Sequence, residues 1–225
     1  MILDPFLQKE LPGLELARLA FETADGLSAE QVQRRAEPGV KEFLEEVLPL
    51  ATFAKAIEGP ERHIWVRYLG PNSAYDAEAR FAGAYVDRGF LDANQFLEVT
   101  SAVAPYDYLQ REALATDGSV FGGPNIRREG SRHQGGRVVS EPVARDGEDE
   151  ANDTRDWVIS AIRSKARRNY SQPSTLIVRV QAETPLNLHE WLHVIEGAHE
   201  QSTAAASFKA CYLVDISQSV AFKAW

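Results

Sequence analysis

The sequence predicts an α/β fold, a mixed sheet with helices on both faces, from three features of its hydropathy pattern. Apolar residues recur at helical spacing through residues 1–60, the period falls to two from His63, and the last third alternates helix, strand, helix, strand. A chain of 225 residues, 44% hydrophobic and 25% charged, can bury a core of that size, and this composition excludes disordered, collagen-like and coiled-coil classes.

Leu14, Leu16, Leu19 and Ala20 form the apolar stripe of a first helix. Ser28 with Gln31 three residues on is a capping box, which starts a short second helix. Pro38 occupies a first helical position, and Val40, Phe43, Leu44, Val47, Leu48, Ala51 and Ala54 keep helical spacing up to Gly59-Pro60, giving a long helix bent at Pro49. Ile64, Val66 and Tyr68 then alternate with Trp65, Arg67 and Leu69 as a strand that closes on Gly70-Pro71-Asn72. Residues 75–86 and 95–102 are the arms of a hairpin around Gly89, and residues 105–115 return to helical spacing. Residues 117–153 are poor in pattern and end in the acidic run 146–153; a loop of that length inside a compact domain is functional or disordered. A helix over 154–170, a β-branched strand over 175–180, a helix over 188–201 and a strand over 208–216 complete the chain. The expected organisation is one α/β domain: a helical part at 1–60, a core at 61–180 and a helix-strand extension at 181–225.

With 33 acidic and 24 basic residues, the net charge of -9 argues against indiscriminate coating of nucleic acid or membrane, while leaving room for a local basic site. Two segments supply one. Arg155, Arg163, Lys165, Arg167 and Arg168 face Asp156 alone, and the patternless stretch holds Arg127, Arg128, Arg132, His133 and Arg137. The lone Cys211 excludes an internal disulfide and a Cys-rich metal site, and it falls in an apolar strand. No apolar run approaches the roughly 20 residues of a membrane span, and residues 1–10 have no signal-peptide pattern, so the expected location is the cytoplasm.

Strand alternation puts Phe96, Glu98, Thr100 and Ala102 on one face and Leu97, Val99 and Ser101 on the other. Glu98 is thus a carboxylate inside a segment apolar enough to be buried, where it must be protonated, hydrogen-bonded, ion-paired or metal-bound. Asp76 opens the preceding hairpin arm. Two hard oxygen ligands on neighbouring strands, with water completing the shell, suit Mg²⁺.

An aspartate at the start of the second strand of a helix, three strands, helix, strand series, followed by a glutamate on the third strand, resembles the PD-(D/E)XK restriction-endonuclease-like superfamily. The likeness covers residues 40–180. It implies a restriction-endonuclease-like core preceded by N-terminal helices, with Asp76 and Glu98 as Mg²⁺ ligands, Glu45 or Glu46 joining them, and nucleic acid as substrate. Tyr75 replaces the proline that precedes the aspartate in this pattern, and Thr100 stands where its lysine belongs. In that fold the lysine positions the attacking water and stabilises charge developing on the phosphorane. The resemblance extends to members whose lysine has migrated to the following helix, which points to Lys165: it recurs with Val158 and Ile162 at i, i+4, i+7, on the apolar side rather than with Arg163 and Arg167. The alternative for Lys165 is a stem laid over the core with its charge in solvent.

His189-Glu190-Trp191-Leu192-His193 matches the HExxH zinc-peptidase pattern, with His199 ten residues after His189. Met1 is the only methionine, so a Met-turn is excluded. Leu188, Trp191, Leu192 and Ile195 are expected to form the buried stripe of this helix, leaving His189, His193, Glu196 and Glu200 outside.

The expected function is metal-dependent cleavage of phosphodiester bonds in nucleic acid, with Asp76 and Glu98 holding Mg²⁺ and Lys165 steadying the transition state. Arg127, Arg128, Arg132, Arg137, Arg163, Arg167 and Arg168 are the expected contacts to the nucleic acid. The alternative, favoured by Thr100, is a nuclease-like fold without catalysis that acts as a binding or interaction module. A third reading is a zinc peptidase acting through His189, Glu190 and His193.

Overall fold

The computed structural model describes residues 1–35, 37–131, 136–168, 170–182 and 184–225. Strand β1 (Glu10–Pro12) leads directly into helix α1 (Gly13–Asp25), and α2 (Ala29–Arg34) follows behind Ser28, whose capping box with Gln31 is present. Helix α3 (Val40–Glu42) continues through a π-helical segment, Phe43–Val47, into α4 (Leu48–Ile57). Then come β2 (His63–Tyr68), β3 (Ala77–Ala82), α5 (Ala84–Asp87), β4 (Asn94–Ala102), α6 (Asp107–Asp117), β5 (Ile126–Glu129) and β6 (Arg137–Ser140). The chain ends with α7 (Gly147–Ala166), β7 (Ser174–Val180), α8 (Leu188–His199), β8 (Phe208–Asp215) and β9 (Val220–Lys223).

Seven strands form one mixed sheet in the order β1-β2-β3-β4-β7-β8-β9, spanning all three stretches distinguished in the sequence. Neighbours are antiparallel from β1 to β4 and between β8 and β9, whereas β4, β7 and β8 run parallel. Parallel neighbours need long crossovers, which are supplied by α6, the β5–β6 hairpin and α7 before β7, and by α8 before β8. Alternation along the strands divides the core. Leu97, Val99, Ile177 and Val214 pack with α1 and α4 on one face, while Ala102, Leu176, Val178 and Leu213 pack with α7 and α8 on the other.

Several expected boundaries move. The strand assigned to residues 75–86 ends at Ala82, because Gly83 (φ 104°) turns the chain where a Cβ would lie 2.5 Å from the Glu61 carbonyl oxygen. The acidic run 146–153 is the start of α7, so this helix begins at Gly147 instead of Thr154. Asp146 caps it, accepting the Asp149 amide at 2.9 Å, and Glu148, Asp149 and Glu150 favour the positive end of the helix dipole. The patternless stretch contains the β5–β6 hairpin, built on strands of four residues each, too short to show a period. The long helix widens just before Pro49: the Leu48 amide reaches back to Phe43 O, and Pro49 sits in the first turn of α4, where its missing N–H is tolerated.

The buried stripe of α8 is also rotated from expectation. Trp191, Val194, Gly197 and Ala198 are buried, whereas Leu188 is 70% and Leu192 49% exposed. The cause is close docking on α7, where a Cβ at Gly197 would lie 2.6 Å from Arg155 Cγ. Cys211 is buried, as expected of a core thiol, and burial raises its pKa. Among the described residues, no helix is long and apolar enough to cross a membrane.

Candidate active site

The site lies where β4 outruns β3. Their pairing stops at Ala77 opposite Leu97, so the Val99 amide on that side has no strand partner; the Asp76 side chain replaces one, Oδ2 accepting the Val99 N–H at 2.7 Å. Glu98 lies beside it on the face toward α7 and is 3% exposed. Its Oε2 accepts hydrogen bonds from Lys165 Nζ at 2.7 Å and from the Tyr170 hydroxyl at 3.1 Å. The same ammonium is 3.9 Å from Asp76 Oδ2. The structure therefore brings together the three residues singled out in the sequence, Asp76, Glu98 and Lys165.

Lys165 reaches this point because α7 crosses over β4 and delivers its last turn to the carboxylates. Tyr170 is held by an aromatic wall. Tyr75 stacks on Phe96 with centroids 4.3 Å apart, Tyr170 lies 5.9 Å from Tyr75 and 5.1 Å from Phe208, and the Tyr75 hydroxyl accepts the Gln172 amide at 2.8 Å. A third carboxylate comes from the π-helical segment: Glu46 Oε2 accepts the Tyr68 hydroxyl at 2.6 Å, and Tyr68 pairs with Ala77 next to Asp76.

Burial dominates the electrostatics. It raises the pKa of Asp76 against the opposing pull of Lys165, the Val99 amide and Arg168. Burial also raises Glu98, helped by the Asp76 charge and opposed by Lys165 and Tyr170. Glu46 is pushed up to about 7, again chiefly by burial, with Asp76 and Glu42 adding to the shift and the Tyr68 hydroxyl and Lys165 opposing it. Tyr170 is raised by burial and by Glu98. Three carboxylates share one ammonium here, and their raised pKa values reduce the resulting excess of negative charge by favouring the protonated forms.

Among the described residues, no group of three or more His, Cys, Asp or Glu side chains converges closely enough to hold a metal by protein ligands alone. Mg²⁺ does not require that, since it keeps several waters and binds through one or two carboxylates. Hydrogen bonds from the described residues engage only Oδ2 of Asp76 and Oε2 of Glu98, so the second oxygen of each carboxylate is left for such a ligand. In chemistry, this donor set of two carboxylates fits Mg²⁺.

The remaining sequence candidates are dispersed. Thr100, half-buried, shares the face of Glu98 but supplies no charge. Arg127 pairs with Glu129 and Glu141, and Arg128 with Glu112. Arg137 is exposed, and Arg132 lies outside the described residues together with His133. Arg163 donates to Gln201 at 3.0 Å; Arg167 and Arg168 are exposed just past α7, with Arg168 near enough to lower Asp76. In the HExxH segment Glu190 closes a capping box with Asn187, accepting its amide at 2.7 Å. His193, expected on the outside, is half-buried against α7, with Nε2 2.9 Å from Asn152 Oδ1; His189 is exposed. Tyr68 and Tyr170 escaped sequence reasoning, because a tyrosine in an apolar strand or after a helix carries no mark of the carboxylate it will meet.

No family profile, curated protein or solved structure matches this chain.

Proposed function

We propose that the protein is a metal-dependent hydrolase of phosphodiester bonds in nucleic acid, related in architecture to the restriction-endonuclease-like nucleases. The observation that carries this reading is the convergence of Asp76, Glu98 and Lys165, with the lysine arriving from the crossover helix. The order of helix, three antiparallel strands, crossover helix and parallel strand supports it. Mg²⁺ held by Asp76 and Glu98 would supply electrophilic polarisation of the phosphoryl oxygens.

The protein's own groups have separate tasks. Lys165 places positive charge where the pentavalent phosphorus develops negative charge and holds the Glu98 carboxylate in register. Tyr170 donates to the same carboxylate oxygen and helps fix it. Glu46, pushed up to about 7 chiefly by burial and further by the Asp76 charge, is the group suited to take up a proton released by the attacking water at neutral pH.

The test is incubation of the purified protein with single- and double-stranded DNA and RNA in Mg²⁺ or in EDTA. Mg²⁺-dependent cleavage that disappears in Glu98→Gln is the expected result. Absence of such cleavage for every substrate overturns the reading in favour of a catalytically silent binding module, which Thr100 and the double engagement of Glu98 Oε2 favour.

A further inference from the structure

Arg179 lies near the carboxyl ends of the parallel pair β4 and β7, on the sheet face opposite Glu98, and the charges of Arg35 and Arg111 reach it there. Arg179 is the penultimate residue of β7. It lies beside Ser101 in register and shares the face of Ile177 and Val99. Arg35, just past α2, has a left-handed backbone (φ 48°), a conformation uncommon for any residue with a side chain, and its side chain is only 8% exposed. Arg111 comes from α6 and is 29% exposed.

The carboxylates in this cluster are already taken. Glu45 pairs with Arg35, and Asp107 Oδ2 lies 2.9 Å from Arg111 Nε. Asp107 Oδ1 accepts Gln181 Nε2 at 3.3 Å, and Gln181 Oε1 in turn accepts Arg179 Nη2 at 2.6 Å. Among the described residues, the hydrogen bond of the half-buried Arg179 goes to a neutral amide, so three guanidiniums face two carboxylates. Burial, together with Arg35 and Arg111 and against Glu45 and Asp107, lowers Arg179 to about 10. A buried cation whose hydrogen bond among the described residues goes to a neutral amide is stabilised by an anion from outside, and a guanidinium fork matches two oxygens of a phosphate.

We propose that Arg179, with Arg35 and Arg111, forms a phosphate-binding site. Glu45 borders this site, and its neighbour Glu46 borders the carboxylate site, so the same π-helical segment separates the two by a single residue step. The phosphate it takes is one carried by the nucleic-acid strand that enters the carboxylate site; that assignment rests on the nuclease reading, whereas the anion site itself does not.

The experiment uses the whole protein in EDTA, so that no cleavage is read. First, the melting temperature is compared in sodium phosphate and in sodium chloride at equal ionic strength, for wild type, Arg179→Met and the more exposed Arg111→Met. A phosphate-specific rise in wild type that is lost or halved in either variant is expected. No rise, or an equal rise in wild type and in whichever variants fold, overturns the site. Second, fluorescence anisotropy measures binding of single-stranded oligonucleotides bearing a 5′-phosphate or a 5′-hydroxyl. Arg179→Met should weaken binding about tenfold and lower the salt slope by about one. Weakening confined to the phosphorylated strand assigns a terminal phosphate, and equal weakening assigns a backbone phosphate. Unchanged oligonucleotide binding alongside a wild-type phosphate shift that Arg179→Met loses removes the nucleic-acid assignment and leaves a free anion. Because neither arm measures hydrolysis, a protein that binds phosphate without cleaving any strand sinks the nuclease reading alone.

Discussion

Lys165 and Glu98, 67 residues apart in the chain, meet at 2.7 Å, and the glutamate is the more deeply buried of the two, 3% exposed against 12%. Each therefore depends on the other for its charge. Glu98→Gln leaves the ammonium with Asp76, at 3.9 Å, as its remaining ion-pair partner among the described residues, and should destabilise the fold by about 2–3 kcal/mol. The double variant Glu98→Gln with Lys165→Met should recover most of that loss. Urea denaturation of the single and double variants measures both; a single variant as stable as wild type refutes the dependence.

Asp76 has a structural duty besides any catalytic one. Asp76→Ala leaves the Val99 amide without an acceptor and should cost about 1–3 kcal/mol, whereas Asp76→Asn, which keeps an acceptor oxygen, should cost less. Hydrogen exchange at the Val99 amide should accelerate in Asp76→Ala and stay near the wild-type rate in Asp76→Asn.

Glu46 gives a pH signature. Its folded pKa of about 7 lies above the ordinary carboxylate value, so the folded state binds this proton more tightly than the unfolded state does. The resulting stabilisation is complete in acid and fades as the pH rises toward and through about 7. Glu46→Gln, which mimics the protonated group, should change the melting temperature little at pH 5 and raise it at pH 8. Equal shifts at both pH values would show that the proton is not held as described.

Should phosphodiester cleavage be established, Lys165→Ala should slow single-turnover hydrolysis by about 10² to 10³, the usual loss on removing one preorganised charge-stabilising group. Glu46→Gln should flatten the rise of rate with pH around 7 while leaving a measurable rate. A Lys165→Ala enzyme at wild-type rate would assign the lysine to packing.

The strand segments are readable where a two-residue period tracks alternating burial, as in β2; strand alternation places Glu98 on one face of β4, and helical spacing places Lys165 on the apolar side of its helix. The start of α7 was not readable, because residues that stabilise the positive end of a helix by charge resemble, in composition, a solvated acidic loop. The face of α8 was misjudged for a related reason: its contact with α7 is made through Gly197 and Ala198, small residues that carry almost no hydropathy signal, while Leu188 and Leu192 carry a strong one and stay exposed. Tyr68 and Tyr170 become site residues only through contacts that span the chain, 22 and 72 residues from their glutamates.

The parallel pairing of β4 with β7 sets an order on assembly. Strand β4 is finished at Ala102, but its partner does not begin until Ser174, and every residue between them belongs to the crossover. A chain growing from its N-terminus can form the β1–β4 meander early, with Asp76 and Glu98 in place and Glu98 still uncapped by any cation from α7. The two carboxylates acquire their ammonium only once α7 has emerged and folded back. Between the completion of β4 and the emergence of α7, then, the meander carries two carboxylates without their ammonium and an unpaired β4 edge open to pairing with another chain.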